Sequence, residues 1–442
     1  MTSSAQEQEL PSHSQGPVDG SRRVAEFTPA DAAAVAAMFN NSEEGWPGGF
    51  TGGVPMTAEH VLRGQREAQP LATFIAWEGD TAVGYCSLYD YPGERGVAGY
   101  VGLLNVATAF QGRGHGRDLL KAALQRCVSL GYRRLDLHTW PGNMKALPLY
   151  KKSGYVWVPE SEVHMANYLP LLLGLPALAD FWDEADWYGT QVRDLSVKED
   201  LYLAGKMRVY PYEFRHGERY VRATIDAMAK GLTALETERW CVSCTVDDRR
   251  LIVGRPRTLR WEVENRTGRP LSLTLLAGAG AGLRLAREET VVVADRHVAE
   301  AALSAEPDYQ PPVFGQRAPR VESLLLLDGV PMRLETGVEI KQPFEVRFEP
   351  CRVSLAPGQP RDVILQVHNN MAEEATAHLA LAPSPGLTVW PTESEKPSDA
   401  SPSLDLAVEG ESYAGTVLRA SAAVAGAHLL EVRTTATANG ET

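Results

Sequence analysis

The part of this chain best equipped for chemistry is a glycine-rich turn. Leu104, Asn105 and Val106 close an apolar run with strand character, and Gln111, Gly112, Arg113, Gly114, His115, Gly116 and Arg117 lead from it into a run with helical character. Glycine lets the backbone curl and come close to a ligand, and a helix start presents N–H groups that have no acceptor within the helix. Together these features make a nest for an anion of pyrophosphate size. Arg113, Arg117 and Lys121 add positive charge to a chain whose net charge is -13, as phosphate binding requires. The plainer reading is a turn that only reverses the chain, but the strand before it and the helix after it stand where anion binding needs them. A dinucleotide-binding turn also follows a strand. Here two helices and a hairpin come first, and no G-x-G-x-x-G is present.

The elements that must position this turn occupy residues 22–168. A strand over RRVAEFT precedes Thr28-Pro-Ala-Asp, a helix-start signal. A second helix begins at Thr57, and two strands flank the turn Glu78-Gly79-Asp80. The strand GYVGLLNVA delivers the chain to the turn. After it Leu119, Leu120, Ala123, Leu124, Cys127 and Val128 recur at helical spacing until Gly131. The strand RRLDLHT, a short helix from Asn143 and two closing strands near 155–158 and 162–168 complete the unit. The order β-α-α-β-β-β-α-β-α-β-β predicts an α/β domain built on a mixed sheet.

Residues 1–21 read as a disordered tail without the basic start and apolar core of a secretory signal. Residues 169–238 read as a connecting subdomain, with one helix over LPALADFWDEADWYG and a strand pair around His216-Gly217. From 239 onward short strands alternate with Gly, Pro and Asn, the pattern of an all-β region. Gly254-Arg-Pro256-Arg257 matches Gly358-Gln-Pro360-Arg361, Val263-Glu-Asn265 matches Val367-His-Asn369, and Gly282-Leu283 matches Gly386-Leu387, all at an offset of 104 residues. A repeat of about 100 residues fits two tandem immunoglobulin-like sandwiches, over 239–344 and 345–442.

With Q-x-x-G-x-G preceded by L-x-V, the turn resembles the acetyl-CoA signature of the GNAT family of N-acetyltransferases. Asn143-Met-Lys-Ala146-Leu-Pro-Leu-Tyr150-Lys-Lys-Ser-Gly154-Tyr155 is similar to a second motif of that family, N-x-x-A-x-x-x-Y-x-x-x-G-[FY]. The resemblance covers residues 22–168. It implies acetyl-CoA as co-substrate and no metal. Leu104, Asn105 and Val106 would line the pantetheine arm, residues 111–117 the phosphates, and Asn143 would belong to the same site. Tyr150 would be the proton donor to the departing sulfur, its alternative being an aromatic packing residue, and the Val106 N–H would face the developing oxyanion.

The base is where this sequence departs from the family. Histone-type members carry a glutamate on the fourth strand, at the position of Tyr100, and tyrosine is a poor base at neutral pH. Members acting on ribosomal-protein alanine place a glutamate where this chain has His138, whose imidazole could accept a proton directly or through water. A structural histidine at the strand end, or ordered water as base, stays open beside it. The acceptor side of the fold lies at two loops. One holds Glu43, Glu44 and Trp46 and the other Glu160 and Glu162, which would attract and cover a cationic amine or form solvated acidic loops.

A hydrophobic fraction of 44% and a charged fraction of 22% are ordinary for soluble protein, and the net charge of -13 disfavours nucleic acid and anionic lipid. The longest apolar stretch, near 169–179, is interrupted by Pro170, Gly174 and Pro176 and is too short to span a membrane. Five cysteines make no disulfide framework, which points to the cytoplasm. Cys241-Val-Ser-Cys244 lies in a strand that sends the two residues to opposite faces, and Phe181, Trp182, Trp187 and Tyr188 read as a packing face. The partner expected is an amine on a small molecule or a protein. The competing reading is a non-catalytic acyl-CoA sensor or scaffold whose sandwiches bind a polymer or protein, and homodimerisation is a further role open to them.

Overall fold

The computed structural model describes residues 22–42, 51–309, 318–392, 403–424 and 426–438. Glu43, Glu44 and Trp46 lie outside them, as does the N-terminal segment 1–21.

The first domain is built from strands β1 (Arg22–Glu26), β2 (Ala72–Glu78), β3 (Thr81–Asp90), β4 (Ala98–Val106), β5 (Arg134–His138), β6 (Tyr155–Trp157) and β7 (His164–Asn167). Helices α1 (Ala32–Asn40) and α2 (Ala58–Ala68) follow β1, α3 (His115–Ser129) follows β4, and α4 (Leu147–Lys152) follows β5. The element order is the one the sequence pattern predicts. One seven-stranded sheet runs β1-β2-β3-β4-β5-β7-β6, with β4 and β5 its parallel pair. Strand alternation sends Phe74, Ala76 and Cys86, and a bulge against β2 sends Val83, to a core shared with Leu119, Ala123 and Cys127 of α3. Ile75, Trp77 and Tyr85 point to the opposite face, where Val35, Met38 and Phe39 of α1 cover them. Covered on both faces, the sheet reads as long apolar runs. Thr28 and Asp31 form a capping box before α1, with Asp31 Oδ2 accepting from Thr28 N at 2.7 Å.

The segment after β7 is not one helix. α5 (Leu169–Leu173) ends at Gly174, a short helical piece over Ala179–Trp182 follows, and Asp186 caps a separate turn, Trp187–Thr190, by accepting from Gly189 N at 3.0 Å. Pro170, Pro176 and the Asp186 cap fragment what the apolar spacing joins.

Strand pairing also runs straight through residue 238. Gly231–Thr237 pairs with Trp240–Val246 across a tight turn in which Thr237 Oγ1 accepts from Arg239 N and Trp240 N at 3.1 and 3.2 Å. A nine-stranded sheet therefore joins Met207–His216, Arg219–Asp226 and both those strands to Arg257–Asn265 and Arg296–Ala305. The composition changes at 238 because the earlier strands turn aromatic residues such as Tyr210, Tyr212 and Phe214 into the core shared with the first domain. A four-stranded sheet built on Leu271–Ala279 and Arg320–Leu327 packs on the nine-stranded one, and Trp261 Nε1 donates to Ser323 Oγ across them at 2.8 Å.

The last unit has its own core between a four-stranded and a three-stranded sheet. The repeat at offset 104 has a structural basis in matched strands and matched corners. Arg257–Asn265 corresponds to Arg361–Asn369, and Leu271–Ala279 to Ala375–Pro383. Asn265 Oδ1 accepts from Thr267 N at 3.0 Å while its Nδ2 donates to Arg269 O at 2.7 Å. Asn369 does the same with Met371 N at 2.9 Å and Glu373 O at 2.8 Å. Each asparagine closes the turn between its two strands. Among the described residues, no helix is long and apolar enough to cross a membrane.

Candidate functional site

β4 is joined to β5 only at Ala98↔Arg134, Gly99↔Leu135 and Tyr100↔Asp136. Beyond Tyr100 the two strands part, because the register of β4 against β3 slips between Val101 and Leu103 and leaves Gly102 as an extra residue. A Cβ on Gly102 would stand 2.5 Å from the Tyr89 ring, so the bulge needs glycine. Ala107 N donates to Val83 O at 2.9 Å. Antiparallel alternation then turns the amides of Leu104 and Val106 away from β3, toward the opening beside β5. The Asn105 side chain goes elsewhere, into contact with Met38 Sδ at 3.7 Å under α1.

The glycine turn continues from that opening. Gly112 and Gly114 adopt φ of 76° and 92°, and Gly114 caps α3 in the left-handed region. The first helical bond runs from Asp118 N to Gly114 O, and the amides of Gly114, His115, Gly116 and Arg117 find no acceptor among the described residues. Four N–H groups therefore converge at the positive end of the 15-residue helix α3. Side chains brace this nest more than they enter it. Gln111 Nε2 donates to Val106 O at 3.1 Å and ties the turn to the strand end. Arg113 bonds Glu78 Oε1 at 2.9 Å, and its carbonyl accepts from Arg22. His115, fully buried, faces Glu78 Oε2 through Nε2 at 3.1 Å, and its Nδ1 has no partner among the described residues. Arg117, paired with Asp118 at 2.9 Å, also lies over the Tyr188 ring at 5.7 Å. Phe181 and Trp182 pack inward as expected, Trp182 against Phe214 at 4.9 Å. Trp187 and Tyr188 instead face the cations of α3, with Lys121 Nζ 4.8 Å from the Tyr188 ring.

A Cβ on Gly116 would meet Leu149 of α4 at 3.1 Å, so the start of α3 and the helix carrying Tyr150 touch. Tyr150 is buried, with Tyr155 at 6.0 Å edge-on. Burial above all, with Cys86 adding, pushes its phenol well above the ordinary tyrosine value, which keeps it a proton donor at neutral pH. Asn143 lies in the turn before α4 and donates to Thr139 Oγ1 at 2.8 Å. Next to Tyr150, buried Lys151 reaches Asp200 at 3.0 Å and Lys198 O at 2.7 Å, so the segment after β7 straps α4 in place.

At the apex of the opening, four rings gather. His138 and His164 pair across β5 and β7 and stack at 4.6 Å and 12°. Tyr100 stands 5.7 Å from His138, and Tyr91 stacks on His164 at 5.9 Å. Burial chiefly, then His164, lowers the pKa of His138, so its ring is neutral at pH 7. His164 Nε2 lies 3.2 Å from Asp136 Oδ2. Asp136 and His164 were missed in the sequence. The alternation Arg134-Leu-Asp136-Leu-His138 places Asp136 on the face of His138 and was a usable signal; the arrival of His164 depends on β7 pairing with β5.

Residues 37–155 match the Acetyltransferase (GNAT) family. The mycothiol acetyltransferase of Geodermatophilus obscurus is 34% identical over 97 residues, which cover 20% of this chain and 32% of that protein. The chain thus spans about a third of the length of the curated relative it matches. Among solved structures, yncA of Salmonella typhimurium with its cofactor acetyl-CoA has 19% identity and a TM-score of 0.29 over 34% of this chain and 94% of its own. The ribosomal-protein-S18-alanine N-acetyltransferase of Escherichia coli has 16% identity and a TM-score of 0.26 over 33% and 92%. On the family match, the α/β domain at the start of this chain is a GNAT acetyltransferase domain.

Proposed function

We propose that this domain moves acetyl from acetyl-CoA to a primary amine. The observation that carries the reading is the row of four unpartnered amides, Gly114 to Arg117, at the end of a strand whose outer edge opens beside β5. The amides suit the pyrophosphate, and the outward backbone of Leu104 and Val106 suits an amide-bearing arm running up the opening. Such an arm would bring its thioester toward the apex, with the Val106 N–H available to the oxyanion and Tyr150 to the sulfur. The proton acceptors we assign to the amine are His138 and the ring stacked on it. The Glu43, Glu44 and Trp46 loop remains the proposed acceptor wall.

The proposal extends to the rest of the chain. The repeated units are read as immunoglobulin-like sandwiches, available for dimerisation or for shielding the site, and five unpaired cysteines suit the cytoplasm. The deciding experiment offers acetyl-CoA with polyamines, amino acids, aminoglycosides and peptide N-termini and measures release of free CoA. Turnover with at least one amine is expected. Tight acetyl-CoA binding without turnover across the panel would leave a sensor instead.

A further inference from the structure

Asp136, fully buried, is the next-to-last link of a chain of charges that starts in the appended sheet. Lys230 Nζ donates to Glu94 Oε1 at 2.8 Å, and Arg134 grips the same carboxylate through Nη2 and Nη1 at 2.9 and 3.2 Å. Arg134 Nε in turn donates to both oxygens of Asp136, at 2.8 and 2.9 Å. The chain ends on His164 at 3.2 Å. Burial opposes ionisation of Glu94, but Arg134 and Lys230 outweigh it and hold its carboxyl well below the usual range. Arg134 therefore has an anion on either side, Lys230 braces the outer one, and Asp136 is left with one oxygen facing an imidazole.

We propose that the proton taken from the acceptor amine comes to rest on His164, held by Asp136, with Lys230, Glu94 and Arg134 as positioning residues acting through that carboxylate. This rests on the transferase reading and chooses between the two stacked rings. A proton on His138 would have no carboxylate hydrogen-bonded to it among the described residues, Asp136 acting on it only through space. A proton on His164 would lie one hydrogen bond from the buried carboxylate of Asp136, at 3.2 Å. The groups facing His164 are Asp136 and His138 on β5 and Tyr91 at the end of β3, with Arg134 over the Tyr91 ring at 5.3 Å and Tyr100 of β4 behind His138. Ser161 Oγ accepts from the backbone N of His164 at 3.0 Å.

With Nε2 turned to Asp136, Nδ1 is the accepting nitrogen. An alkylammonium gives one proton to Nδ1 and becomes the free amine. Its lone pair attacks the thioester carbonyl, forming the C–N bond. Collapse of the adduct breaks the C–S bond, and the sulfur takes its proton from Tyr150. The second nitrogen proton leaves through water and restores Tyr150, while His164 releases its own to solvent.

The test uses the full chain. Acetyl-CoA affinity by calorimetry and the pH dependence of kcat/KM are measured for wild type, His164→Gln, Asp136→Asn, Lys230→Met and His138→Gln. His164→Gln is expected to keep acetyl-CoA affinity, lose about 10²-fold in kcat/KM and lose the acid limb of the profile. Asp136→Asn should keep acetyl-CoA affinity and lose kcat/KM, and Lys230→Met should lose less. His138→Gln should lower the rate but retain the acid limb. A His164→Gln enzyme with unaltered rate and acid limb overturns the proposal, as does a limb lost only in His138→Gln. Should Asp136→Asn fail to fold, His164→Gln and Lys230→Met still decide. Wild type that binds acetyl-CoA but acetylates no amine sinks the transferase reading and the base assignment together; a working wild type with an indifferent His164 sinks the assignment alone.

Discussion

Tyr150 and His138 are pushed in opposite senses by the same cause. Desolvation disfavours the charged form of each, so the phenol keeps its proton and the imidazole stays without one. Tyr150→Phe preserves the ring that packs on Tyr155, so a loss in kcat/KM on the order of 10²-fold with unaltered acetyl-CoA affinity is expected. Stopped assays of CoA release alongside calorimetry would show it, and full activity in the variant would remove Tyr150 as the acid. For His138 the depressed pKa has a consequence for stability. Between its lowered value and the ordinary value of about 6.5, the unfolded chain binds a proton that the folded chain does not, so stability rises with pH there. Acidification below about pH 6.5 should therefore destabilise the protein, and His138→Gln should flatten that dependence in denaturant titrations. The roles at this scale were only partly legible. Tyr150 stands in a recognisable motif, whereas His164 has no local signature and acquires its partner Asp136 from another strand.

At the scale of elements, two glycines hold the site open by different means. Gly114 lies at φ 92°, where a side chain costs about 1–2 kcal/mol. Gly114→Ala is expected to lower Tm by that strain and to weaken acetyl-CoA binding, because the four amides of the α3 start must then shift together. An unchanged affinity in calorimetry would mean that the nest is not the phosphate site. Gly102 acts by space, since the Tyr89 ring occupies the volume a side chain would need. Gly102→Val should cost about 1–3 kcal/mol in denaturant unfolding, the range for overpacking. The turn around Gly114 could be read directly from its glycines and flanking periodicity. The bulge at Gly102 could not, because a bulge is a mismatch between two strands and neither strand shows it alone.

Over the whole molecule, the α/β domain and the appended sheet share a core. Leu169, Leu172, Leu178 and Phe181 are buried in the same cluster as Leu119, Leu135 and Tyr155. Polar contacts reinforce it. Arg133 holds the buried Glu335 through two hydrogen bonds of 2.8 Å, and Tyr212 donates to Gly154 O at 2.8 Å. Arg133→Met would leave a buried carboxylate with, among the described residues, Arg320 at 3.7 Å as its remaining cation, a loss on the order of 3–5 kcal/mol. A chain ending at residue 168 would expose the apolar face that this core covers. It is expected to unfold at lower temperature and less cooperatively than the full chain in calorimetry, and an unchanged transition would show that the two parts are independent.

The sequence by itself determined what is local or periodic: the order of strands and helices to residue 168, the anion-binding turn, the tyrosine of α4 and the repeat at 104 residues. These depend on φ preferences, on spacing along one strand or helix, and on residues a few positions apart. Tertiary structure alone decided that the strands before residue 238 belong to the sheet that follows them, that α4 is strapped by Asp200, and that Lys230 is linked through buried charges to a histidine at the apex of the site. Those are contacts between segments far apart in the chain. A buried charge chooses its partner by proximity in the folded core, where water no longer screens it, and no spacing rule along the sequence carries that choice.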